Sequence, residues 1–306
     1  MRRPPPWNDF IKYPVAGGTI ALAVGVSLAS WSGKVDVGAL YETVDIRRGE
    51  LWRLLTSALP HADLLHLAFN CYWIWVFGSL IEERFGHLKT VAMFVLLAIA
   101  ANGAEYAVLS GGMGLSGVVY GLFGLLWVLS RQDRRFEGEI DQNTVRLFVA
   151  WFFFCIFLTV VGYPIGNVAH GVGAVAGALL GLAICGSSQR RIAASAAVAL
   201  LLAATLSGVT LGRPWINLSK YGGYDEGSLG YDALIANRDE EALRWLRDAT
   251  RMQPGIAAYW FDMGIAYDRL GRRSEATAAY ERARRLEPAN AQYQQGSAPE
   301  ALESPR

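Results

Sequence analysis

The sequence has little charge for its length. Asp, Glu, Lys and Arg make up 18% of its 306 residues, whereas apolar residues make up 53% and the mean hydropathy is +0.24. A soluble domain usually carries about 25% charged residues. We therefore expect a chain that lies in a lipid bilayer. The formal net charge of +1 also gives the chain no overall attraction to nucleic acid, and we predict no such partner.

Cysteine and histidine are scarce as well. The three cysteines are Cys71, Cys155 and Cys185, an odd number, all within apolar segments, which argues against a disulfide framework. His61, His66 and His170 raise the alternative of a zinc site. No H-E-x-x-H or comparable ligand spacing accompanies them, so we predict no metal and no cofactor.

Long apolar runs dominate the first two thirds of the chain. Several are rich in Gly and Ala, as expected where membrane helices pack closely. They predict an all-α, polytopic membrane helix bundle over residues 14–211. The expected helices are 14–32, 63–82, 88–109, 115–130, 145–162, 167–186 and 192–211. Trp73 and Trp75 are expected to face lipid or the membrane interface.

The positive charges alternate along this bundle. Lys and Arg precede the first run and follow the second, fourth and sixth, whereas loops 109–114 and 162–167 carry no charge. Since cytoplasmic loops are enriched in these residues, we expect the N-terminal segment 1–13 to be cytoplasmic. Seven spans then place the C-terminal tail outside the cytoplasm.

The composition becomes charged from about residue 212, and an internal repeat appears. A linker, 212–222, leads to two copies over 223–290, and we expect a capping or disordered tail over 291–306. Residues 34 positions apart correspond, a spacing typical of tetratricopeptide repeats. The matching pairs are Gly230 and Gly264, Ala242 and Ala276, Leu246 and Tyr280, Ala249 and Ala283, and Pro254 and Pro288. Helix pairs of this kind bind proteins, so a protein partner of the repeats is expected.

Several polar residues within the apolar runs are candidates for chemistry, because such groups are costly inside a bilayer. Ser116 lies where a glycine-rich loop turns into a helix, so its backbone amide is free to hold an oxyanion. His170 begins another helix and would act as general base. Gly173 and Gly177 share the face of His170 and let its helix approach that of Ser116.

Further residues would support this pair. His66 and Asn70 are four residues apart on one helix face and can donate hydrogen bonds to a developing negative charge. Tyr120, one turn after Ser116, would lie beneath the imidazole. Glu105, Glu82 and Asp63 are nearby acids without an evident role in orienting His170, so the sequence predicts a Ser–His dyad. His61 is expected to be a structural residue near a helix start.

The motifs GLSG-VVYG, AHG-x-G-x₃-G, H-x₄-H-x₃-N and the pair Trp52–Arg53 together resemble the rhomboid family over about residues 45–186. The resemblance implies a six-helix core, here followed by a seventh helix, and an intramembrane serine endopeptidase. It implies Ser116 as nucleophile and His170 as base. It implies an oxyanion hole formed by His66, Asn70 and the Ser116 amide.

The same resemblance implies supporting roles for other residues. Gly114 would begin the nucleophile motif, and Trp52 and Arg53 would support the first long loop. The implied substrates are membrane proteins that are cut in or beside a spanning helix. The alternative from another class is a catalytically silent rhomboid-like protein that binds membrane clients, with the repeats as an adaptor.

Overall fold

A computed structural model of the chain describes residues 4–295. This part is all-α, 77% helical and without strands, which confirms the predicted fold class. It divides into two compact units, Met1–Leu211 and Gly212–Arg306. The first three residues of the N-terminal segment and residues 296–306 of the predicted tail lie outside the described residues.

The first unit contains seven long apolar helices close to the expected positions. They are α1 (Pro14–Ser32), α2 (Leu64–Phe85, with a π-helical turn at Ile74–Gly78), α3 (His87–Val108), α4 (Ser116–Gln132), α5 (Gln142–Val160), α6 (Asn167–Cys185) and α7 (Ser188–Ser207). Within the described residues, six helices are long and apolar enough to cross a membrane, the last extending through Ile216. Helix α4 has 17 residues and is shorter than these six.

Local signals in the sequence set several helix starts. The Asp63 carboxylate accepts the backbone N–H of His66 at 2.8 Å and caps α2. The Asp141 carboxylate accepts that of Thr144 at 2.8 Å and caps α5. Pro14 occupies the first turn of α1, where its missing N–H is not needed. Short polar side chains and proline at these points satisfy or remove amide donors that have no intrahelical acceptor.

Helix α4 lies at the centre of the core. Leu122, Leu125, Leu126 and Leu129 along it are fully buried. In contrast, α5 has exposed aromatic side chains such as Phe153 and Phe157, as expected for a helix that faces lipid. Helix α4 is therefore surrounded by protein, whereas α5 forms part of the apolar outer surface.

Trp73 and Trp75 are core residues, contrary to the prediction from the sequence. They were expected at the lipid or interface side, but both are almost fully buried. Trp73 packs against Phe77 and Phe148, with ring centroids 4.8 Å away in each case. The indole N–H of Trp75 donates to the carbonyl of Pro5 at 2.8 Å. Large aromatic rings serve equally well as core filling, and composition alone does not separate the two roles.

The long loop between α1 and α2 is organised by Arg53. Its buried guanidinium contacts the carboxylates of Glu50 and Asp45 and donates to the carbonyls of Gly38 and Tyr41 at 3.0 Å. Five donors on one planar group allow it to fix several loop segments together. The adjoining Trp52 differs, because its side chain is 52% exposed.

Helix α7 packs on α3 and on that loop. The methyl group of Thr205 fills the space beside Gly103, which has no side chain. Val209, just beyond α7, is fully buried in a cluster with Ile46 and Leu54 of the loop. The seventh helix is thus an integrated part of the first unit.

The described part of the second unit contains α8 (Tyr224–Ile235), α9 (Asp239–Met252), α10 (Ala257–Arg269), α11 (Arg273–Leu286) and the short α12 (Ala291–Gln295). The two helix pairs make equivalent contacts: Gly230 faces Leu246, and Gly264 faces Tyr280. Glu226 occupies the place that Trp260 holds in the second copy. It is buried and lies 3.8 Å from Arg213, so an ion pair replaces an aromatic ring there.

Candidate active site

Ser116 and His170 meet at the starts of two helices. Ser116 is the first residue of α4, and His170 lies in the first turn of α6. The serine Oγ is 2.8 Å from Nε2 of the imidazole. His170 is buried, with 4% of its surface exposed, whereas Ser116 is partly exposed. This distance is that of a hydrogen bond through which the base could take the hydroxyl proton.

Direct contact between the backbones of α4 and α6 produces this geometry. A Cβ placed on Gly173 would lie 2.2 Å from the carbonyl oxygen of Gly117. One placed on Gly177 would lie 1.8 Å from that of Gly121. Neither distance can accommodate a side chain, so only glycine permits the two helices to approach this closely.

Tyr120 orients the imidazole from below. Its ring stacks on that of His170 with centroids 4.6 Å apart and an angle of 24° between the planes. Its hydroxyl donates to the carbonyl of Phe148 on α5 at 3.2 Å. Among the described residues, Nδ1 of His170 has no hydrogen-bond partner, so no carboxylate completes a triad in this part of the chain.

The acids considered as partners of His170 lie elsewhere. Asp63 caps α2. Glu82 accepts the amides of Val15 and Ala16 at the start of α1. Glu105 does approach the histidine helix, but it accepts the backbone amide of Ala169 at 2.9 Å. The geometry is therefore that of a Ser–His dyad supported by an aromatic ring.

His66 lies against the loop that leads to Ser116, and Asn70 lies one turn further along the same helix. Asn70 is fully buried, and within the described structure neither its amide nitrogen nor its oxygen has a hydrogen-bond partner. The His66 ring covers Gly114, where a Cβ would lie 2.7 Å from Cε1. Gly114 also has a φ of 101°, a conformation that favours glycine. A buried side-chain donor without a partner is a feature that an oxyanion hole requires.

His61 holds the loop that leads to Ser116. Its Nδ1 is 2.9 Å from the carbonyl oxygen of Leu59, and Nε2 accepts the backbone N–H of Leu115 at 3.3 Å. Burial is the main cause that lowers the pKa of His61 to about 4, so the ring stays neutral and Nε2 can accept. Its ring also lies edge-on to that of His66, with centroids 4.9 Å apart.

Two carboxylates near the site were not assigned a role from the sequence. Glu42, in the first long loop, accepts the backbone N–H of Gly112 at 2.9 Å and so holds the glycine-rich loop. Glu105 contacts the start of α6. Both are buried, and the signal that could have identified them is an acidic residue within or beside an apolar region. Within residues 4–295 there is no group of three His, Cys, Asp or Glu side chains suited to a metal ion.

In comparisons with known families, residues 48–187 match the Rhomboid domain family and residues 257–290 match the Tetratricopeptide repeat family. The chain is similar to the rhomboid protease GlpG of Serratia proteamaculans, 35% identical over 135 residues, 43% of this chain and 47% of the relative. GlpG of Klebsiella pneumoniae is 35% identical over 137 residues, 44% and 48% of the two chains.

A third relative, GlpG of Photorhabdus laumondii, is 33% identical over 142 residues, 45% of this chain and 49% of the relative. The chain spans about half the length of the curated relatives it matches. The resemblance inferred from the sequence motifs is thereby confirmed over residues 48–187 and for the second repeat. The first repeat copy lies outside the matched range.

Proposed function

Because this chain carries a rhomboid domain followed by a tetratricopeptide repeat, we propose that it is an intramembrane serine endopeptidase. Its substrates are membrane proteins, cut in or beside a spanning helix. The observation that carries the proposal is the 2.8 Å contact between Ser116 Oγ and His170 Nε2. This contact lies inside a bundle whose helices are long and apolar enough to span a bilayer.

The chemistry follows from the positions of these groups. Ser116 Oγ attacks the carbonyl carbon of the scissile peptide bond while His170 Nε2 accepts the hydroxyl proton. The negative charge that develops on the carbonyl oxygen is held by the Ser116 backbone amide, Asn70 and His66. His170 then gives its proton to the leaving amine. Water, activated by the same imidazole, hydrolyses the acyl-enzyme and restores the serine.

The supporting residues keep this geometry fixed. Tyr120 prevents the imidazole from turning away from the serine. His61 and Gly114 shape the loop before Ser116, and Gly173 and Gly177 allow the two helices to touch. Arg53 holds the long loop between α1 and α2 together. Trp52 adds an exposed indole on that loop.

The orientation in the membrane follows from the positive charges. Lys12 precedes α1, Arg84 lies in the last turn of α2, and arginines follow α4 and α6, so these segments lie in the cytoplasm. The glycine-rich loop before Ser116 is then on the opposite side. Counting the shorter α4 together with the six longer helices gives seven spans. This odd number puts the repeats on the same side as that loop, where they hold a protein partner.

A serine-reactive fluorophosphonate probe tests this function on native membranes. The wild-type chain should be labelled, and Ser116→Ala and His170→Ala should each abolish labelling and cleavage. Combining the two substitutions should cause no further loss, since the two residues act as a unit. Ser79→Ala is the matched control, because that buried hydroxyl only donates to the Trp75 carbonyl on α2.

Two results would contradict the proposal. Labelling that survives in Ser116→Ala would show that another serine is the nucleophile. A wild-type chain that stays unlabelled and cleaves nothing, yet binds membrane proteins, would favour the silent client-binding function.

A further inference from the structure

Glu105 is a buried carboxylate that the proposed chemistry does not use. It lies near the end of α3, with 3% of its surface exposed, in an apolar helix of spanning length. Burying an ionisable group in such surroundings is costly unless hydrogen bonds compensate. Its partners therefore indicate what it contributes.

Those partners are backbone amides at the start of the histidine helix. Oε2 accepts the N–H of Ala169 at 2.9 Å, and the carboxylate also accepts that of Val168. Gly166, at the N-cap position of α6, has no side chain to fulfil this role. A Cβ on Gly166 would lie 3.4 Å from the Glu105 carboxyl carbon, so the glycine also leaves room for the carboxylate.

The first amides of a helix have no intrahelical acceptor, and a negative group beside them stabilises the first turn. In α6 this turn carries His170, which immediately follows Ala169. We propose that Glu105 is a positioning residue: its carboxylate caps α6 from α3 and thereby keeps His170 within hydrogen-bond distance of Ser116. The inference rests on the proposed function, since it assigns His170 the role of base.

Glu82 provides a matched control within the same chain. It too is a buried carboxylate, and it accepts the backbone amides of Val15 and Ala16 at 2.9 Å each. These amides belong to the first turn of α1, which contains neither member of the dyad. The two acids thus form the same kind of cap on different helices, and only the cap made by Glu105 leads directly to His170.

The test compares Glu105→Ala, Glu105→Asp, Glu105→Gln and Glu82→Ala in the full-length protein in lipid vesicles. Steady-state cleavage of a spanning substrate gives kcat and KM. Thermal unfolding gives the fraction of each variant that is folded, and kcat is calculated for that fraction. Glu105→Ala should lower kcat by about 10²-fold, the loss typical of a displacement near 1 Å at a catalytic group, with KM unchanged.

The other variants separate positioning from stability. Glu105→Asp retains the carboxyl group but is one methylene shorter. It should therefore fold but have a lowered kcat. Glu105→Gln retains an acceptor oxygen for the amides and should recover most of kcat. Glu82→Ala should lower thermal stability at least as much as Glu105→Ala, because Glu82 also contacts His87 at 2.6 Å. It should nevertheless leave kcat unchanged.

Amide hydrogen exchange over residues 167–172 gives a readout that does not depend on activity. Exchange should accelerate there in Glu105→Ala and remain unchanged in Glu82→Ala. Unchanged exchange, a wild-type kcat in Glu105→Asp, or equal kcat losses in Glu105→Ala and Glu82→Ala would each overturn the positioning role. An inactive, unlabelled wild type would instead overturn the proposed function, while the exchange measurement would still decide whether Glu105 caps the helix.

Discussion

Asn70 combines complete burial with a side-chain amide that has no hydrogen-bond partner in the described part of the chain. A buried polar group without a partner typically destabilises a fold by about 1–3 kcal/mol. Asn102 illustrates the usual arrangement, because its amide donates to the Leu54 carbonyl and to Ser57 Oγ, both at 3.1 Å. Replacing Asn70 should therefore not lower the free energy of unfolding, whereas replacing Asn102 should lower it.

Asn70→Ala should lower kcat by about 10²–10³-fold, the usual cost of losing one oxyanion donor. The free energy of unfolding should not fall, since no existing hydrogen bond is removed. Asn102→Ala should lower the free energy of unfolding because it leaves Ser57 and the Leu54 carbonyl without their donor. Cleavage kinetics and thermal unfolding in vesicles measure both effects. A wild-type kcat in Asn70→Ala would show that this side chain is not part of the oxyanion hole.

The sequence predicted that Ser116 and His170 would meet, but not all of the contacts around them. Ser116, His170 and Tyr120 follow from local motifs on helices whose apolar length is visible in the sequence. The contacts of Glu42 and Glu105 could not be predicted from local motifs. Each carboxylate accepts a backbone amide on a distant segment, 70 and 64 residues away along the chain. Such a contact depends on how the helices pack, and no local pattern encodes it.

The contact between α4 and α6 determines which substitutions each helix tolerates. Gly177→Ala adds a single methyl group at a point that is 1.8 Å from the Gly121 carbonyl oxygen. Overpacking of this kind commonly costs about 1–3 kcal/mol, so we expect lower thermal stability. Since His170 lies two turns earlier on the same helix, cleavage and Ser116 labelling should fall as well.

Gly18→Ala on α1 is the matched control, because a Cβ there meets nothing within 4 Å. It should leave activity intact and raise stability by about 0.4–1 kcal/mol, as alanine restricts the unfolded chain. Thermal unfolding and probe labelling check the pair. A Gly177→Ala variant that matches Gly18→Ala in both measurements would contradict the backbone contact between the two helices.

Helix α10 contains an acid that should make the repeats sensitive to pH. Burial raises the pKa of Asp262 to about 7, from 3.8 for an unperturbed carboxyl. The folded state therefore binds a proton more tightly than the unfolded state. The resulting stabilisation is fully present below about pH 4, is lost as the pH rises to about 7, and changes no further above that.

Asp262→Asn should remove this dependence and stabilise the repeats at neutral pH. Limited proteolysis of the second unit in the full-length chain measures the effect. The ratio of wild-type to variant cleavage rates cancels the pH dependence of the protease itself. This ratio should rise between about pH 5 and about pH 8. A constant ratio over that range would show that Asp262 titrates normally.

The whole molecule joins a membrane bundle to a helical repeat unit of different composition. The sequence predicted both from hydropathy and from the 34-residue spacing, because these properties extend over many residues. It did not predict that Trp73 and Trp75 are core residues, or that an ion pair occupies the aromatic position of the first repeat. These features depend on which neighbours surround a side chain after packing.

Deleting residues 222–306 should leave Ser116 labelling and cleavage of a small generic substrate intact while weakening selection among natural substrates. Gly264→Leu should reproduce the loss of selection in a full-length chain, because a Cβ at Gly264 lies 2.4 Å from the Tyr280 ring. Competition between substrates measures selection. Loss of Ser116 labelling after the deletion would instead show that the helical bundle needs the repeats to fold. Cleavage of the repeats by a protease added on the cytoplasmic side would refute the proposed orientation.

Contact between the main chains of α4 and α6 also bears on how the protein loses activity on heating. Side chains that fill an interface can change rotamer one at a time, and a catalytic distance supported by them drifts gradually. Carbonyl groups pressed against glycine Cα atoms have no rotamers to populate. The distance between Ser116 and His170 should therefore stay the same on heating until α4 and α6 separate. Up to that temperature, the activation energy of cleavage should be constant. Inactivation should then coincide with the separation of the two helices as one cooperative event.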